Sequence, residues 1–339
     1  MKNLALYNID FHVVTKAIVV AIHLFVLAVV AARQLPIEKS PCDYEWRGVV
    51  PEQFARTTDV EASLVVSHCV HDLSHIQEWA RGFAFKDIVV YSKCGATVES
   101  APYGSRVVRL PNLGREGYAW AHHVLETRKI SSLLPKDVTF FMKDTWGKEY
   151  PQLVASTFQM MMNTVLSPQG FSCGMLPEKK KRALWLEDHD YSLWHDTTEF
   201  LMLQPSREYQ SLKMNYTSLT DDISYWTNKT FPTWLSNMGV YVRNDVLTPV
   251  CYGGNFAVAS SSMVRVSEDV FGRMLQSLSR GGNIVEGAFA ERVWALLFTR
   301  PLSKEESKKL VRLSKSTCDP RRCSDTTRGQ FYGCDANRI

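Results

Sequence analysis

The first half of the chain alternates short β-branched runs with segments of helical periodicity, and this alternation limits the possible folds more than any other feature. Residues 63–70 form a β-branched run typical of a buried strand, and residues 71–83 follow with apolar side chains at helical spacing. The same patterns predict strands over 87–91, 106–110 and 137–144, and helices over 117–129 and 151–166. Such alternation indicates an α/β fold with a largely parallel sheet.

The second half begins with an irregular segment, residues 170–250, rich in Trp, Asp, Tyr and Ser. Strand-like order returns at 253–260, and helices are predicted over 268–278 and 286–298. Because ordered elements resume after the irregular segment, the chain reads as one α/β domain over 63–300 with an insert at 170–250. Residues 301–339 form a cysteine-containing C-terminal tail.

An apolar run precedes the domain. Residues 17–32 carry no formal charge and are flanked by Lys16 and Arg33. This run is a little shorter than the roughly 20 residues that span a bilayer as a helix. Apolar residues before it and snorkelling by Lys16 would complete the span. We predict a cytoplasmic tail at 1–16, a transmembrane signal anchor at 17–33 and a proline-containing stem at 34–62. A cleaved signal peptide ending near Ala32, giving a secreted protein, is the alternative.

All eight cysteines lie after this run, as do two N-glycosylation sequons at Asn215 and Asn228. This arrangement suits an oxidising compartment and disulfide bonds, so the expected location is the Golgi or endoplasmic reticulum with the domain lumenal. The last three cysteines predict a disulfide-stapled tail, with a zinc site as the alternative. They are Cys318, Cys323 and Cys334.

Charge and motifs exclude several functions. The net charge of +4 over 339 residues leaves no basic footprint for nucleic acid, so no nucleic-acid partner is expected. Neither a phosphate-binding P-loop nor a dinucleotide, zinc-protease, nucleophile-elbow or EF-hand motif occurs. Three polar clusters remain as candidates.

The first cluster, residues 111–123, lies where the predicted strand at 106–110 ends and the next helix begins. Ligands of open α/β sheets bind at this edge, and a helix N-terminus offers N–H groups to anions. A polar turn with solvated Arg115 and Glu116 is the alternative. His122 and His123 follow on the helix as pocket candidates. The predicted phosphate-binding residues are Asn112, Gly114, Arg115, Glu116 and Gly117.

Asp144 closes the strand at 137–144. A carboxylate there could hold Mn²⁺ or Mg²⁺ bridging a nucleotide diphosphate. No second acid stands two residues before it, so a turn acid is the alternative. The acid-rich stretch 187–190 lies in the irregular segment and reads as surface.

The third cluster pairs Gly253-Gly254-Asn255 with acids near the last helix. Glu286 opens that helix, either as a general base or as a favourable partner for the helix dipole. For Glu291 and Arg292 the alternative to a pocket role is a buried ion pair, and Trp294 completes the set. A thiol nucleophile is disfavoured, because Cys69 and Cys94 suit a disulfide or the core.

Together the segments NLGREGYAW, DVTFFMKDT, CYGGNFAVA and EGAFAERVW resemble the eukaryotic family called domain of unknown function 3431, over about residues 63–298. The order of parts also resembles a GT-A-like, Rossmann-type glycosyltransferase. The resemblance implies sugar transfer from a nucleotide donor to a glycan or other hydroxyl acceptor, with Glu286 as base and Asp144 positioning the donor or a metal ion. The Asp-x-Asp pair of that fold is missing, so Arg115 or Arg292 would stabilise the diphosphate. The competing hypothesis is a membrane-anchored carbohydrate-binding protein without catalysis.

Overall fold

The computed structural model describes residues 60–128, 137–146, 154–175, 199–202, 230–242 and 247–308. The predicted anchor, most of the stem, both sequons and the last three cysteines lie outside these residues. Among the described helices, none has the length and apolar character needed to cross a bilayer.

The described residues include eight strands and seven α-helices, besides a 3-10 helix at Tyr252–Gly254 and helical residues at 304–308. The strands are β1 (Ala62–His68), β2 (Asp87–Ser92), β3 (Arg106–Arg109), β4 (Val138–Lys143), β5 (Phe171–Cys173), β6 (Glu199–Met202), β7 (Leu247–Val250) and β8 (Phe256–Ala259). The helices are α1 (Ser74–Trp79), α2 (Arg115–Arg128), α3 (Thr157–Leu166), α4 (Phe231–Asn237), α5 (Ser260–Arg265), α6 (Glu268–Leu278) and α7 (Val285–Phe298).

The main sheet has six strands in the order β3-β2-β1-β4-β8-β5. Strands β1 to β4 pair in parallel, whereas β8 is antiparallel to both of its neighbours, β4 and β5. The predicted α/β class with a mostly parallel sheet is therefore confirmed. A separate pair, β6 with β7, is antiparallel.

The chain leaves β1 in one direction to build β2 and β3, and then returns to place β4 on the other side of β1. Loops after β1 and β4 consequently diverge, and such a switch point creates a crevice at the carboxyl edge of the sheet. Because β8 is antiparallel, its first residues lie at this same edge.

Both faces of the sheet are covered. On one face, helices α2, α6 and α7 enclose an aromatic core containing Trp120, Phe256 and Trp294. On the other face, Leu64 and Phe140 pack with Ile76 of α1. The apolar residues of β1 point to both faces, which is why its sequence is a continuous β-branched run rather than an alternating one.

The boundaries of the predicted insert need correction. Phe171–Cys173 belongs to the main sheet, where it pairs with β8. A three-residue strand carries too few side chains for a period-of-two pattern to be visible, so the sequence did not distinguish it from the irregular segment. The helix predicted over 71–83 is also shorter, since only Ser74–Trp79 is helical.

Two disulfides lie at the carboxyl edge, so the predicted presence of disulfide bonds is confirmed. Cys69, just after β1, joins Cys94, just after β2, with a Cα–Cα distance of 4.7 Å. Cys173, at the end of β5, joins Cys251, with a Cα–Cα distance of 5.4 Å. The first bond fixes the loop after β1, which borders the switch point, and the second joins the end of β5 to the turn before β8.

Candidate functional site

Two sequence elements that are far apart in the chain meet at the carboxyl edge. Nη1 of Arg115, at the start of α2, is 3.4 Å from Oε2 of Glu291 on α7. Gly254 lies beside them, since a Cβ atom there would be 3.2 Å from both Cγ of Glu291 and Cζ3 of Trp120. The first and third predicted clusters therefore form one site.

The turn that starts α2 has an unusual backbone. Gly114 and Arg115 both have positive φ, 51° and 52°. Their N–H groups donate to the carbonyl oxygens of Gly281 (2.7 Å) and Gly282 (3.0 Å). The loop before α7 therefore occupies these two N–H groups, and a phosphate contact at this turn would be made by the Arg115 side chain.

The glycines of this motif serve helix packing. A Cβ atom on Gly114 would lie 2.5 Å from Cβ of Leu278, and one on Gly117 would lie 2.7 Å from Cβ of Ala290. Asn112 is held in the same contact, with its carbonyl oxygen 3.0 Å from the Cβ position of Gly282. These glycines let α2 approach α6 and α7 closely, rather than letting a ligand approach the backbone.

The charged side chains of the motif are not solvated, which corrects the alternative of a polar turn. Glu116 is 8% exposed, and the Arg115 side chain is 23% exposed. Nε of Arg115 is 3.9 Å from Oε2 of Glu116, so the guanidinium lies between the carboxylates of Glu116 and Glu291. A cation held this way has a defined position at the edge of the sheet.

Lys93 is a site residue that the sequence patterns did not identify. It follows β2, is 7% exposed, and donates from Nζ to the carbonyl oxygens of Leu113 (2.6 Å) and Arg115. Burial lowers the pKa of Lys93 to about 8, against the favourable charge of Glu116. Its position directly after a predicted strand was the available signal, because carboxyl ends of parallel strands collect ligand-binding residues.

Asp144 is engaged by the backbone of the loop that follows β1. Its Oδ2 accepts three consecutive backbone N–H groups, from Cys69 (2.9 Å), Val70 (3.1 Å) and His71 (3.1 Å). Successive N–H groups that converge in this way form an anion-binding concavity, filled here by a carboxylate of the same chain. Among the described residues, no three His, Cys, Asp or Glu side chains are grouped as a metal ion requires. Asp144 acts as the turn acid.

Glu286 is paired rather than free to act as a base. Its carboxylate is 1% exposed and contacts Arg280 through two bonds, Oε2 to Nη2 at 2.7 Å and Oε1 to Nε at 3.3 Å. Arg292, the other predicted cation, is buried in α7 and donates from Nη1 to the carbonyl oxygen of Ala288. Neither side chain is arranged to meet a substrate at the edge.

The remaining members of the third cluster make structural contacts near the carboxyl edge. Oδ1 of Asn255 accepts the N–H of Lys143 at 2.8 Å, and its Nδ2 donates to the carbonyl oxygen of Gly253 at 2.7 Å. Gly253 has a φ of 76°. Trp294 is fully buried and packs against Phe256, so it belongs to the core rather than to a pocket.

The two histidines predicted as pocket residues lie one to two turns further along α2. Nδ1 of His123 is 3.0 Å from the hydroxyl of Tyr91 inside the core. Burial lowers the pKa of His123 to about 4 and raises that of Tyr91 to about 12. His122 contacts the Tyr91 ring edge-on. The pair therefore packs α2 against the sheet and does not face the site.

Comparison of the chain with protein-family models, with curated proteins and with solved structures found no match.

Proposed function

We propose that this chain is a GT-A-like glycosyltransferase of the secretory pathway, anchored by its N-terminal apolar run, that transfers a sugar from a nucleotide sugar to a hydroxyl acceptor. One observation carries the proposal. The two elements through which the chain resembles the transferase-like family meet in the Arg115–Glu291 pair at the carboxyl edge. That edge is where open α/β sheets bind nucleotides.

The sheet order supports a nucleotide ligand. The reversal between β1 and β4 puts the crevice between the loops that follow these two strands. The antiparallel β8 extends the sheet beyond β4, and its first residues lie at the same carboxyl edge. We expect the nucleotide to lie across the ends of β1 and β2, and the sugar to lie toward Glu291.

The charges at the edge suit a diphosphate. Arg115 is half-buried there, and Lys143 ends β4 at the same edge. Cations positioned before the reaction stabilise the charge that develops on a leaving diphosphate. Since Asp144 binds backbone N–H groups, we propose a transfer in which these cations, rather than a metal ion at Asp144, receive the leaving group.

The proposed transfer needs only the nucleotide sugar and the acceptor hydroxyl as reactants. The acceptor hydroxyl oxygen bonds to the anomeric carbon, the bond from that carbon to the diphosphate oxygen breaks, and the diphosphate leaves with the electron pair. The hydroxyl proton passes to a carboxylate at the edge. Glu291 is the candidate, because it lies at the edge with a contact of 3.4 Å to Arg115, whereas both carboxylate oxygens of Glu286 are bound by Arg280.

A second function is favoured by a separate observation. Glu286 and Asp144, the two acids to which the resemblance assigns chemistry, are held in a buried ion pair and in a backbone turn. A transferase-like fold with both acids engaged could bind a nucleotide sugar or glycan without turning it over. This is the membrane-anchored binding protein.

One experiment separates the two. The full chain in detergent is titrated with uridine-, guanosine- and cytidine-linked sugars by calorimetry, with Mn²⁺ or with EDTA, and release of the nucleoside phosphate is followed with and without glycan acceptors. Binding with release supports the transferase, and binding without release supports the binding protein. An absence of binding across the panel overturns the transferase, and an absence of binding to the glycan acceptors in the same titration also overturns the binding protein.

An Arg115→Met variant gives the matched test of the site. We expect it to weaken binding at least tenfold, since a charge-assisted contact to a phosphate is worth about 1.5–3 kcal/mol. Arg81→Met is the control, because Arg81 is an exposed cation paired with Glu78 in the same unit of the chain. Equal affinities for the two variants would remove Arg115 from the site.

A further inference from the structure

Lys93 clamps the turn that carries Arg115. Its ammonium donates to the carbonyl oxygens of Leu113 and Arg115, the two residues on either side of Gly114. The N–H groups of Gly114 and Arg115 are bound from the opposite side by Gly281 and Gly282. The turn is therefore held through its carbonyls by β2 and through its amides by the loop before α7.

The turn needs this clamp because of its conformation. Arg115 has a φ of 52°, a region in which a residue with a side chain is strained by about 1–2 kcal/mol. Such strain persists only where the surroundings impose it. Burying the Lys93 ammonium costs free energy. Because this buried group holds the turn that carries Arg115, the position of the Arg115 guanidinium is the property that it would serve.

We propose that Lys93 is a positioning residue, which holds the Arg115 guanidinium in place for the diphosphate of a nucleotide ligand. The proposal rests on the proposed function. Removal of the ammonium frees the Leu113 and Arg115 carbonyls, and the turn then relaxes toward negative φ. The guanidinium moves away from its place between Glu116 and Glu291.

The charge on Lys93 depends on its neighbours from each adjoining element. On α2, Glu116 favours the ammonium and Arg115 disfavours it, and the Tyr118 ring lies 6.0 Å from Nζ. Asp144, after β4, favours the ammonium. Because burial outweighs these contributions and lowers the pKa of Lys93 to about 8, the clamp weakens in mildly alkaline solution. Affinity for a diphosphate then falls as the pH rises through about 8.

The test uses the full chain, with uridine diphosphate and inorganic pyrophosphate as probes. Affinity is measured by calorimetry from pH 6.5 to 9.5 for the wild type, Lys93→Met, Lys93→Arg and the control Lys86→Met. Lys86 stands just before β2, where it makes an exposed pair with Glu61. Amide hydrogen exchange over residues 113–117 is recorded in parallel.

We expect Lys93→Met to bind the probes at least tenfold more weakly at pH 7, with no step near pH 8. Lys93→Arg keeps its charge and restores binding to within about threefold of the wild type, without the alkaline loss. Lys86→Met matches the wild type. The proposal is overturned if Lys93→Met binds the probes as tightly as the wild type does. It is also overturned if Lys93→Arg still loses affinity near pH 8.

The wild-type pH profile and Lys93→Arg keep the test decisive if Lys93→Met does not fold. If the wild type binds neither probe, the proposed nucleotide function fails. Amide hydrogen exchange then remains as the test of whether Lys93 holds the turn. Faster exchange at Gly114 and Arg115 in a Lys93 variant than in Lys86→Met supports the clamp, and equal exchange overturns it.

Discussion

The Arg115 side chain packs directly onto Gly287, where a Cβ atom would be 2.9 Å from both Cγ and Cδ of the arginine. Gly287 lies in the first turn of α7, one residue after Glu286. The aliphatic part of the Arg115 side chain occupies the space that a side chain at position 287 would fill. A glycine inside a helix is thus explained by a cation on another helix.

Gly287→Ala is expected to displace Arg115. The added methyl group has to move either the arginine stem or α7, and such overpacking costs about 1–3 kcal/mol. Gly272→Ala, in α6, is the matched control, because a Cβ atom there meets no other atom within 4 Å. That substitution is expected to stabilise the protein by up to about 1 kcal/mol. Urea denaturation of the two variants gives the comparison, and a shift of the same sign in both would contradict it.

The Glu286–Arg280 pair is expected to support stability. Glu286→Gln removes a buried charge that holds Arg280, whose side chain is 37% exposed, so we expect a loss of about 1–3 kcal/mol in the free energy of unfolding. A double-mutant cycle with Arg280→Met should give a coupling energy of at least about 1 kcal/mol. Additive effects would mean that the two side chains do not act together.

Asp144→Ala is expected to loosen the loop after β1. It leaves three N–H groups without their carboxylate oxygen, and because water reaches part of this loop the loss should be about 2 kcal/mol. Asp144→Asn keeps an acceptor oxygen and should lose about half as much. Chemical denaturation measures both variants. Equal losses for the two would assign the effect to the charge rather than to the acceptor.

The disulfides are expected to differ in their contribution to stability. Cys173 and Cys251 are separated by 78 positions, and Cys69 and Cys94 by 25. Loop-closure entropy predicts losses of about 4.5 and about 3.5 kcal/mol when each pair is replaced by serine. The transition midpoints in guanidinium chloride test this order. A larger loss for the shorter loop would indicate that contacts near Asp144, and not chain entropy, dominate.

Acid is expected to destabilise the protein through His123. Its pKa in the folded chain, about 4, lies below the ordinary value of 6.5, so the unfolded chain binds the proton first as the pH falls. The stability from neutral His123 is present above pH 6.5 and is lost between about 6.5 and 4, by roughly 3 kcal/mol. His123→Gln should lack this portion of the pH dependence. His122→Gln, on a partly buried position of the same helix, is the control and should keep it.

The regular elements followed largely from local patterns. The helix predicted over 268–278 is the observed Glu268–Leu278, and the β-branched runs of β1, β2 and β4 form adjacent or central strands of the sheet. These predictions succeeded because burial on both faces requires continuous apolar side chains, which is a local property of the chain. The short β5 lacked enough residues to produce such a signal.

The contact between the first and third clusters agrees with the predicted edge, but the roles of individual side chains did not follow from the sequence. The carboxyl edge was indicated by polar residues after predicted strands, and Arg115 and Glu291 do meet there. Lys93 was missed because a single lysine after a strand has no pattern of its own. For Glu286 the sequence left a base and a helix-dipole partner as alternatives and did not predict its ion pair, because Arg280 stands six positions earlier and outside the helix.

By itself, the sequence determined the long buried strands β1, β2 and β4, the helices with a clear apolar stripe, and which positions carry glycine or charge. Those properties depend on side-chain size, branching and hydropathy within a few neighbouring residues. Only the tertiary structure decided that Gly117 and Gly287 pack helices, that Asp144 binds a loop and that Lys93 supports Arg115. The reason is physical: a charge or a missing Cβ acquires its role from the atoms within a few ångströms, and here those atoms belong to residues far away in the chain.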